Sequence, residues 1–131
     1  MFPANTKILV VDDMLTMRKL VTKACKDLGY QNVIDAADGA KAWEALSGSS
    51  EPIGLIISDW NMPNCTGLDF LKRVRSSSQY GKTPFIMVTA ESEQSQILQA
   101  AAAGVSSYII KPFTAEALKE KIAAVYSKLA A

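Results

Sequence analysis

Two kinds of hydrophobic pattern alternate along the chain from one end to the other. Short apolar runs rich in β-branched residues, which are typical of buried strands, lie at residues 7–11, 33–37, 53–58, 84–88 and 106–110. After each run, apolar residues recur every three or four positions, as on one face of a helix; the first such segment carries Met17, Leu20, Val21, Ala24 and Leu28. Five strand–helix units predict a doubly wound α/β domain, with a mostly parallel sheet covered by helices on both faces.

Length and composition place the chain among ordinary globular proteins. Its 131 residues are 49% hydrophobic and 21% charged, and we expect residues 1–131 to form a single domain with no appended effector module. The formal net charge of +1 gives no general attraction to nucleic acid. The longest apolar runs are far shorter than the ~20 residues that cross a bilayer, and we find no secretory signal. We therefore expect a cytoplasmic protein that binds neither nucleic acid nor membrane.

The sequence contains no histidine, and its two cysteines, Cys25 and Cys65, form no CxxC motif. Zinc sites, haem sites and serine–histidine–aspartate triads therefore lack their usual residues. Any group transfer must depend on carboxylates, lysine, hydroxyl groups or water. We expect Cys25 to be a packing residue and Cys65 to be an inert loop residue rather than a redox-sensitive thiol.

Polar residues stand at the ends of four of the five predicted strands. Asp12 and Asp13 follow the first, Asp59 follows the third, Thr89 the fourth and Lys111 the fifth. The carboxyl ends of parallel strands meet at one edge of a sheet, so we expect these side chains to share one crevice. Each residue considered alone has a simpler interpretation, because an Asp pair can cap a helix and a threonine or lysine can be an ordinary loop residue.

Three carboxylates in one crevice repel one another unless a cation neutralises them. A single lysine cannot balance three negative charges. The divalent cation that suits one or two carboxylates together with several waters is magnesium. The strand-end pattern therefore predicts a Mg²⁺ site.

Four segments at these strand ends together resemble a known family. They are Val10-Val11-Asp12-Asp13, Asp59-Trp60-Asn61-Met62-Pro63 with Gly67, Val88-Thr89-Ala90 and Tyr108-Ile109-Ile110-Lys111-Pro112-Phe113. From Ile8 to about Leu129 the chain resembles the receiver domains of two-component response regulators, and within that family it is most similar to the single-domain chemotaxis regulators. The resemblance implies a flavodoxin-like fold, with a five-stranded parallel sheet in the order 2-1-3-4-5 and five helices.

The resemblance also implies the role of each acidic residue. Asp59 would be the phosphoacceptor, which takes a phosphoryl group from a histidine of a partner kinase. Asp13, Asp59 and the backbone carbonyl of Asn61 would hold Mg²⁺, and Asp12 would assist through water. Thr66 departs from the family pattern, since many receivers carry Asp there, and this leaves the role of the loop after Asp59 open.

The resemblance further implies how phosphorylation would be transmitted. Thr89 would bind the phosphoryl oxygen in the active state, and Lys111, aimed inward by a cis bond to Pro112, would pair with it. Movement of Thr89 would let Tyr108 rotate inward and alter an output face on the fourth helix, fifth strand and fifth helix. The remaining residues that we assign to this switch and face are Trp60, Ala90, Glu91, Ile97, Ala101, Val105 and Lys121.

The expected partners follow from the same resemblance. A chemotaxis-type histidine kinase or a histidine phosphotransfer domain would donate the phosphoryl group, a flagellar motor switch protein would receive the signal, and a phosphatase is a further candidate. The chain would act as a monomer. The basic residues of the first helix favour a solvated face over a docking site for the phosphotransfer domain; they are Arg18, Lys19, Lys23 and Lys26.

Three alternatives stay open at this point. The chain could be a phosphate shuttle or sink, or regulate a partner other than the motor. It could be a phosphatase like the haloacid dehalogenases, although their acids are spaced DxD whereas Asp12 and Asp13 are adjacent. It could carry FMN, although no phosphate-binding loop rich in Ser, Thr or Gly follows the first strand. We expect no enzyme activity beyond its own phosphorylation and dephosphorylation.

Overall fold

The computed structural model describes residues 1–63, 65–90 and 94–130. Within them the strands are β1 (Lys7–Val11), β2 (Val33–Ala36), β3 (Ile53–Asp59), β4 (Phe85–Thr89) and β5 (Ser107–Ile110). The helices are α1 (Leu15–Asp27), α2 (Gly39–Gly48), α3 (Gly67–Ser76), α4 (Gln94–Ala102) and α5 (Ala115–Ala130). None of the helices in this described part is long and apolar enough to cross a membrane.

The strands form one parallel sheet in the order β2-β1-β3-β4-β5, which confirms the predicted fold. From β1 the chain winds outward to β2 and then reverses to build β3, β4 and β5 on the other side. In sheets of this kind a crevice opens beyond the carboxyl ends of the strands, at the point of reversal. Asp12 directly follows β1 and Asp59 ends β3, so both residues lie at that point.

Alternate residues of the central strands build two cores, one on each face of the sheet. Ile8 of β1 packs in the same buried cluster as Val21 of α1 and Leu118 of α5. Its neighbour Leu9 belongs to the opposite cluster, with Leu71 of α3 and other residues of α2 and α4. Because both faces are covered, the strands are continuous apolar runs, and this is why the sequence pattern revealed them.

Two of the predicted site residues belong to strands rather than to the loops after them. The sequence pattern ends the third strand at residue 58 and the fourth at residue 88, whereas β3 includes Asp59 and β4 includes Thr89. Backbone pairing continues through these polar residues, since Asp59 is in register with Val88 and Thr89 with Ile110. The strand backbone therefore fixes both side chains. Smaller corrections apply elsewhere: β2 ends at residue 36, β4 begins at residue 85 and β5 begins at residue 107.

Local signals end and begin the helices. Gly29, after α1, and Gly104, after α4, have φ angles of 102° and 90°, a region that favours glycine and stops a helix. At the start of α5, Thr114 Oγ1 accepts a hydrogen bond of 3.1 Å from the backbone N–H of Ala117, as a capping residue does.

Candidate functional site

The carboxyl edge of the sheet brings together the polar residues that the sequence places at strand ends. One carboxylate oxygen from each of Asp12, Asp13 and Asp59 lies within 4.8 Å of the others. Lys111, which follows β5, places its Nζ 3.1 Å from Asp59 Oδ1 and 3.3 Å from Asp12 Oδ2. Thr89 is buried at the end of β4, next to β5. The three carboxylates and the ammonium group of the expected crevice therefore lie together, with Thr89 at the end of the strand next to β3.

Asp59 lies in an environment that opposes its negative charge. The residue is only 5% exposed, and this burial is the main reason why the pKa of its carboxyl group is raised. The charge of Asp12 raises the pKa further, whereas Lys111 and the backbone N–H of Trp60 act in the opposite direction. The net rise shows that one lysine does not offset the desolvation and repulsion at this site.

Lys111 stays protonated in this crevice. Burial alone lowers the pKa of its ammonium group, but hydrogen bonds and charge interactions with Asp59 and Asp12 outweigh burial and raise the pKa. The peptide bond between Lys111 and Pro112 is cis, as the family resemblance implies. The crevice therefore holds a permanent positive charge in contact with two of its three acids.

Asp12 is anchored by its own loop and does not cap α1. Its Oδ1 accepts a hydrogen bond of 2.9 Å from the backbone N–H of Met14, two residues along the chain. Met14 is the N-cap residue of α1, and no side chain caps this helix. The simpler interpretation of the Asp pair as a helix cap is therefore wrong. Asp13 is exposed at the rim of the crevice, where its carboxylate is open to solvent.

The donor set fits Mg²⁺. The three carboxylates offer oxygen ligands only, and Mg²⁺ is bound by one or two carboxylates together with waters. Three carboxylates face one ammonium group, and both burial and the charge of Asp12 raise the pKa of Asp59, so a bound cation would stabilise its ionised form. Asn61 lies two residues after β3 and is exposed, so its backbone is at the same edge of the sheet.

Thr89 lies between the acidic crevice and the predicted output face. Its Oγ1 donates a hydrogen bond of 3.2 Å to Oε1 of Gln96, on α4. Gln96 was not among the predicted site residues, because it is one of several polar residues at the start of α4 and its sequence position does not distinguish it. Thr89 and Gln96 also line a small pocket, separate from the acidic crevice; its other residues are Trp60, Met87, Ile97, Ala100 and Tyr108. This lining connects the strand end to residues of the predicted switch.

The predicted output residues differ in exposure. Tyr108 is half-buried, and Lys121 Nζ lies 5.2 Å from the centre of its ring. Trp60 is buried, Ile97, Val105 and Lys121 are half-buried, and Ala90 and Ala101 are exposed. Glu91 lies outside the described residues. Tyr108 packs against the core cluster on its face of the sheet but is not fully buried.

The loop after β3 is fixed by three small residues. A side chain at Gly67 would place its Cβ 2.1 Å from the backbone oxygen of Asp59, so this position requires glycine. Thr66 caps α3 by accepting a hydrogen bond of 3.1 Å from the backbone N–H of Asp69. Burial raises the pKa of the Cys65 thiol, which argues against a reactive thiolate and fits the expected inert role. Cys25 is fully buried in the core, as expected.

Comparison with known proteins agrees with this geometry. Residues 8–123 match the family described as response regulator receiver domain. The chain is 44% identical to the chemotaxis protein CheY1 of Helicobacter pylori over 119 residues, which cover 91% of this chain and 95% of that one. It is 43% identical to the chemotaxis protein CheY of Pseudomonas aeruginosa over 123 residues, which cover 94% and 98% of the two chains.

Solved structures show the same similarity in three dimensions. The structure of chemotaxis protein CheY4 of Vibrio cholerae, crystallised at low pH, superimposes with a TM-score of 0.85 at 38% sequence identity. The superposition covers 93% of this chain and 99% of that one. A response regulator receiver protein from Pseudomonas putida gives a TM-score of 0.83 at 26% identity, covering 92% and 98%. These matches leave the phosphatase and FMN-carrier alternatives without support.

Proposed function

Because the chain belongs to the response regulator receiver domain family and is of the CheY type, we propose that it is a phosphoaspartate signalling switch with Asp59 as the phosphoacceptor. One observation carries the assignment of the acceptor. Asp59 is the carboxylate that is buried at the end of a central strand, contacts Lys111 and lies within reach of two further acids. A histidine kinase is the partner that this family implies as phosphoryl donor.

The transfer forms one bond and breaks one. An oxygen of the Asp59 carboxylate attacks the phosphorus of a phosphohistidine on the partner, and the P–N bond breaks. The electron pair returns to the imidazole, which leaves with the partner, and Asp59 becomes an acyl phosphate. A carboxylate is a weak nucleophile, so the rate depends on alignment and on neutralising the phosphoryl oxygens. β3 supplies the alignment, because Asp59 is part of the strand.

Two sets of groups would neutralise charge at the acceptor. Lys111 Nζ already lies 3.1 Å from Asp59 Oδ1, the kind of position from which it would pair with a phosphoryl oxygen on that residue. Mg²⁺, held by Asp13, Asp59 and the carbonyl of Asn61 with Asp12 assisting through water, would supply positive charge to the phosphoryl oxygens when bound. Desolvation of the crevice strengthens both interactions.

Thr89 is placed to transmit the modification. Its hydroxyl bonds Gln96 in this structure, and a phosphoryl group on Asp59 would offer it a charged acceptor instead. Movement of Thr89 would open space in the small pocket that it lines together with Tyr108 and Ile97, which is separate from the acidic crevice. We propose that this changes the face formed by α4, β5 and α5, and that a flagellar motor switch protein binds that face. The relatives named as chemotaxis proteins support a role in chemotaxis.

Several further properties belong to the same proposal. The protein would work in the cytoplasm as a monomer, and a phosphatase would be a second partner. It would catalyse only its own phosphorylation and dephosphorylation. A role as phosphate shuttle or sink is the alternative, and it differs in needing no output partner.

Fluorescence of Trp60 provides the test of the acceptor. The chain has two tryptophans, so Trp43→Phe leaves Trp60, which directly follows Asp59, as the sole reporter. We expect Mg²⁺ to change the emission, and beryllofluoride, a phosphoryl mimic, to change it again. Asp59→Asn in the same background should lose the second response. Equal responses to beryllofluoride in both variants would place the acceptor elsewhere.

Binding to purified motor switch protein provides the test of the output. We expect beryllofluoride to increase the affinity of the wild type, and Lys121→Ala to weaken that binding because Lys121 contacts Tyr108. Lys128→Ala, an exposed residue in the last turn of α5, is the matched control and should bind normally. A normal fluorescence response without any motor binding would favour the shuttle alternative.

A further inference from the structure

One of the four basic residues of α1 differs from the others. Lys19, Lys23 and Lys26 are exposed, which fits the expected solvated face. The side chain of Arg18 is only 15% exposed and turns away from solvent toward the ends of β1 and β2. An arginine that is buried next to an acidic crevice needs a separate explanation.

Arg18 contacts the acidic crevice through the backbone of Asp12. Its Nη1 donates a hydrogen bond of 2.8 Å to the Asp12 carbonyl oxygen. Its Nε donates a hydrogen bond of 3.0 Å to Oδ2 of Asp35, the third residue of the four-residue edge strand β2. Because the guanidinium group is planar and rigid, its bond to Asp35 orients the Nη1 donor that binds the Asp12 carbonyl.

The peptide plane explains why this contact matters for Asp13. The carbonyl oxygen of Asp12 and the backbone nitrogen of Asp13 lie in the same rigid plane. Fixing that oxygen therefore fixes the direction in which the chain enters Asp13. The other backbone group of Asp12, its N–H, donates to the carbonyl of Ala36 at 3.1 Å. Both sides of the Asp12 backbone are thus anchored to β2 or to a side chain that β2 orients.

We infer that Arg18 is a positioning residue for the metal ligands: it holds the Asp12–Asp13 peptide so that the carboxylates converge in spite of their repulsion. The inference rests on the proposed function, since it treats the acidic crevice as a Mg²⁺ site. Arg18 would act through the backbone and would not touch the metal or the phosphoryl group. Asp35 would support it from β2, the strand whose Ala36 carbonyl also accepts from the Asp12 N–H.

Loss of the charge of Arg18 and loss of its positioning contacts should change the affinity for Mg²⁺ in opposite directions. Removing a positive charge close to three carboxylates should strengthen Mg²⁺ binding if charge alone matters. Loss of a group that orients the ligands should weaken it, by about tenfold for a typical supporting residue. Arg18→Ala therefore distinguishes the two effects by direction.

The experiment measures the Mg²⁺ dissociation constant from Trp60 fluorescence in the Trp43→Phe background. We expect Arg18→Ala to raise the dissociation constant about tenfold. Arg18→Lys keeps the charge but loses the paired Nε and Nη1 donors, and it should raise the constant by a smaller factor. Lys19→Ala is the matched control, because it removes the same charge from the adjacent exposed position. An unchanged or lower constant in Arg18→Ala, or an equal rise in Lys19→Ala, would overturn the inference.

A second readout needs no metal. In ¹⁵N NMR spectra of the metal-free protein, Arg18→Lys should shift the amide signals of Asp13 and Met14, while signals from β4 stay in place. Unchanged Asp13 and Met14 signals would count against a positioning role, and this variant remains informative if Arg18→Ala fails to fold. Failure of Mg²⁺ to bind the wild type would instead refute the proposed function, so the two failures are distinguishable.

Discussion

Charged side chains at the two ends of the sheet have opposite surroundings. At the carboxyl end, three carboxylates crowd around one ammonium group, and the pKa of Asp59 is raised because burial and Asp12 oppose its charge. At the amino end, the half-buried Arg75 donates to the carbonyls of Gly104, Gly81 and Thr83, at 2.8, 3.2 and 2.6 Å, and to Ser106 Oγ at 3.4 Å. Its neighbours are neutral acceptors.

The difference separates a group of charges that the protein leaves unbalanced from a charged group whose hydrogen bonds are satisfied. The hydrogen bonds of Arg75 satisfy the loops before β4 and β5, and no carboxylate in the described ranges lies within ion-pair distance of it. The carboxyl end keeps an excess of negative charge that the protein itself does not neutralise. Unbalanced charge therefore indicates function here, whereas a half-buried cation with several hydrogen-bond acceptors indicates a structural role.

Removal of the Arg75 side chain, with its hydrogen bonds to the loops before β4 and β5, should have the largest effect on stability. Arg75→Ala leaves several loop carbonyls without a donor, and we expect it to lower the free energy of unfolding by about 3 kcal/mol. Mg²⁺ binding should remain within about twofold of the wild type, because the network lies at the other end of the sheet and such distant sites act independently. Urea unfolding and Trp60 fluorescence measure the two quantities.

Arg73→Ala is the matched control for this prediction. Arg73 lies on the same helix, is exposed and stacks 4.1 Å from the ring centre of Trp43. Its removal should cost only about 0.5 kcal/mol. Equal losses in the two variants would mean that the buried network contributes no more than a surface contact.

A methyl group at Gly67 should damage both stability and the site. Its Cβ would lie 2.1 Å from the Asp59 carbonyl oxygen, so Gly67→Ala must move either α3 or the end of β3. We expect a loss of about 2 kcal/mol and a weaker fluorescence response to beryllofluoride. In Gly48→Ala the added carbon meets no atom within 4 Å, and stability should hold or rise slightly. A wild-type response in Gly67→Ala would show that the loop does not control Asp59.

Neutralising Asp59 should stabilise the metal-free protein. A carboxyl group whose pKa is raised on folding favours the folded state below its unfolded value of 3.8, and that contribution is lost as the pH rises through the folded pKa. The uncharged asparagine side chain of Asp59→Asn loses no stability as the pH rises. The free energy of unfolding of Asp59→Asn should therefore exceed that of the wild type by an amount that grows from about pH 4 to pH 7, to on the order of 1 kcal/mol.

Urea unfolding in EDTA across this pH range tests the sign. Glu44→Gln, an exposed carboxylate on α2, is the control and should show no such trend. Added Mg²⁺ should reduce the difference between the wild type and Asp59→Asn, because it stabilises only the complete site. A wild type that is more stable than Asp59→Asn at pH 7 without metal would mean that Lys111 outweighs burial and repulsion.

The sequence was enough to predict the fold and the acidic crevice, because both follow from regular patterns. Strand runs and the polar residues that end them recur at each βα unit, and parallel strands bring those ends together. The contacts of Arg18, Arg75 and Gln96 could not be predicted in this way. Each depends on which loop a long side chain reaches, and hydrophobic periodicity carries no information about such contacts.

Thr66 illustrates a departure from the family pattern that local chemistry explains. Its hydroxyl caps α3 through the N–H of Asp69, and Asp is an equally good capping residue. We therefore expect Thr66→Asp to change stability by no more than about 0.5 kcal/mol, whereas Thr66→Ala should lose about 1 kcal/mol. Both can be measured by urea unfolding. A large loss in Thr66→Asp would show that a fourth carboxylate near the crevice is not tolerated, and that threonine is required there to limit the negative charge.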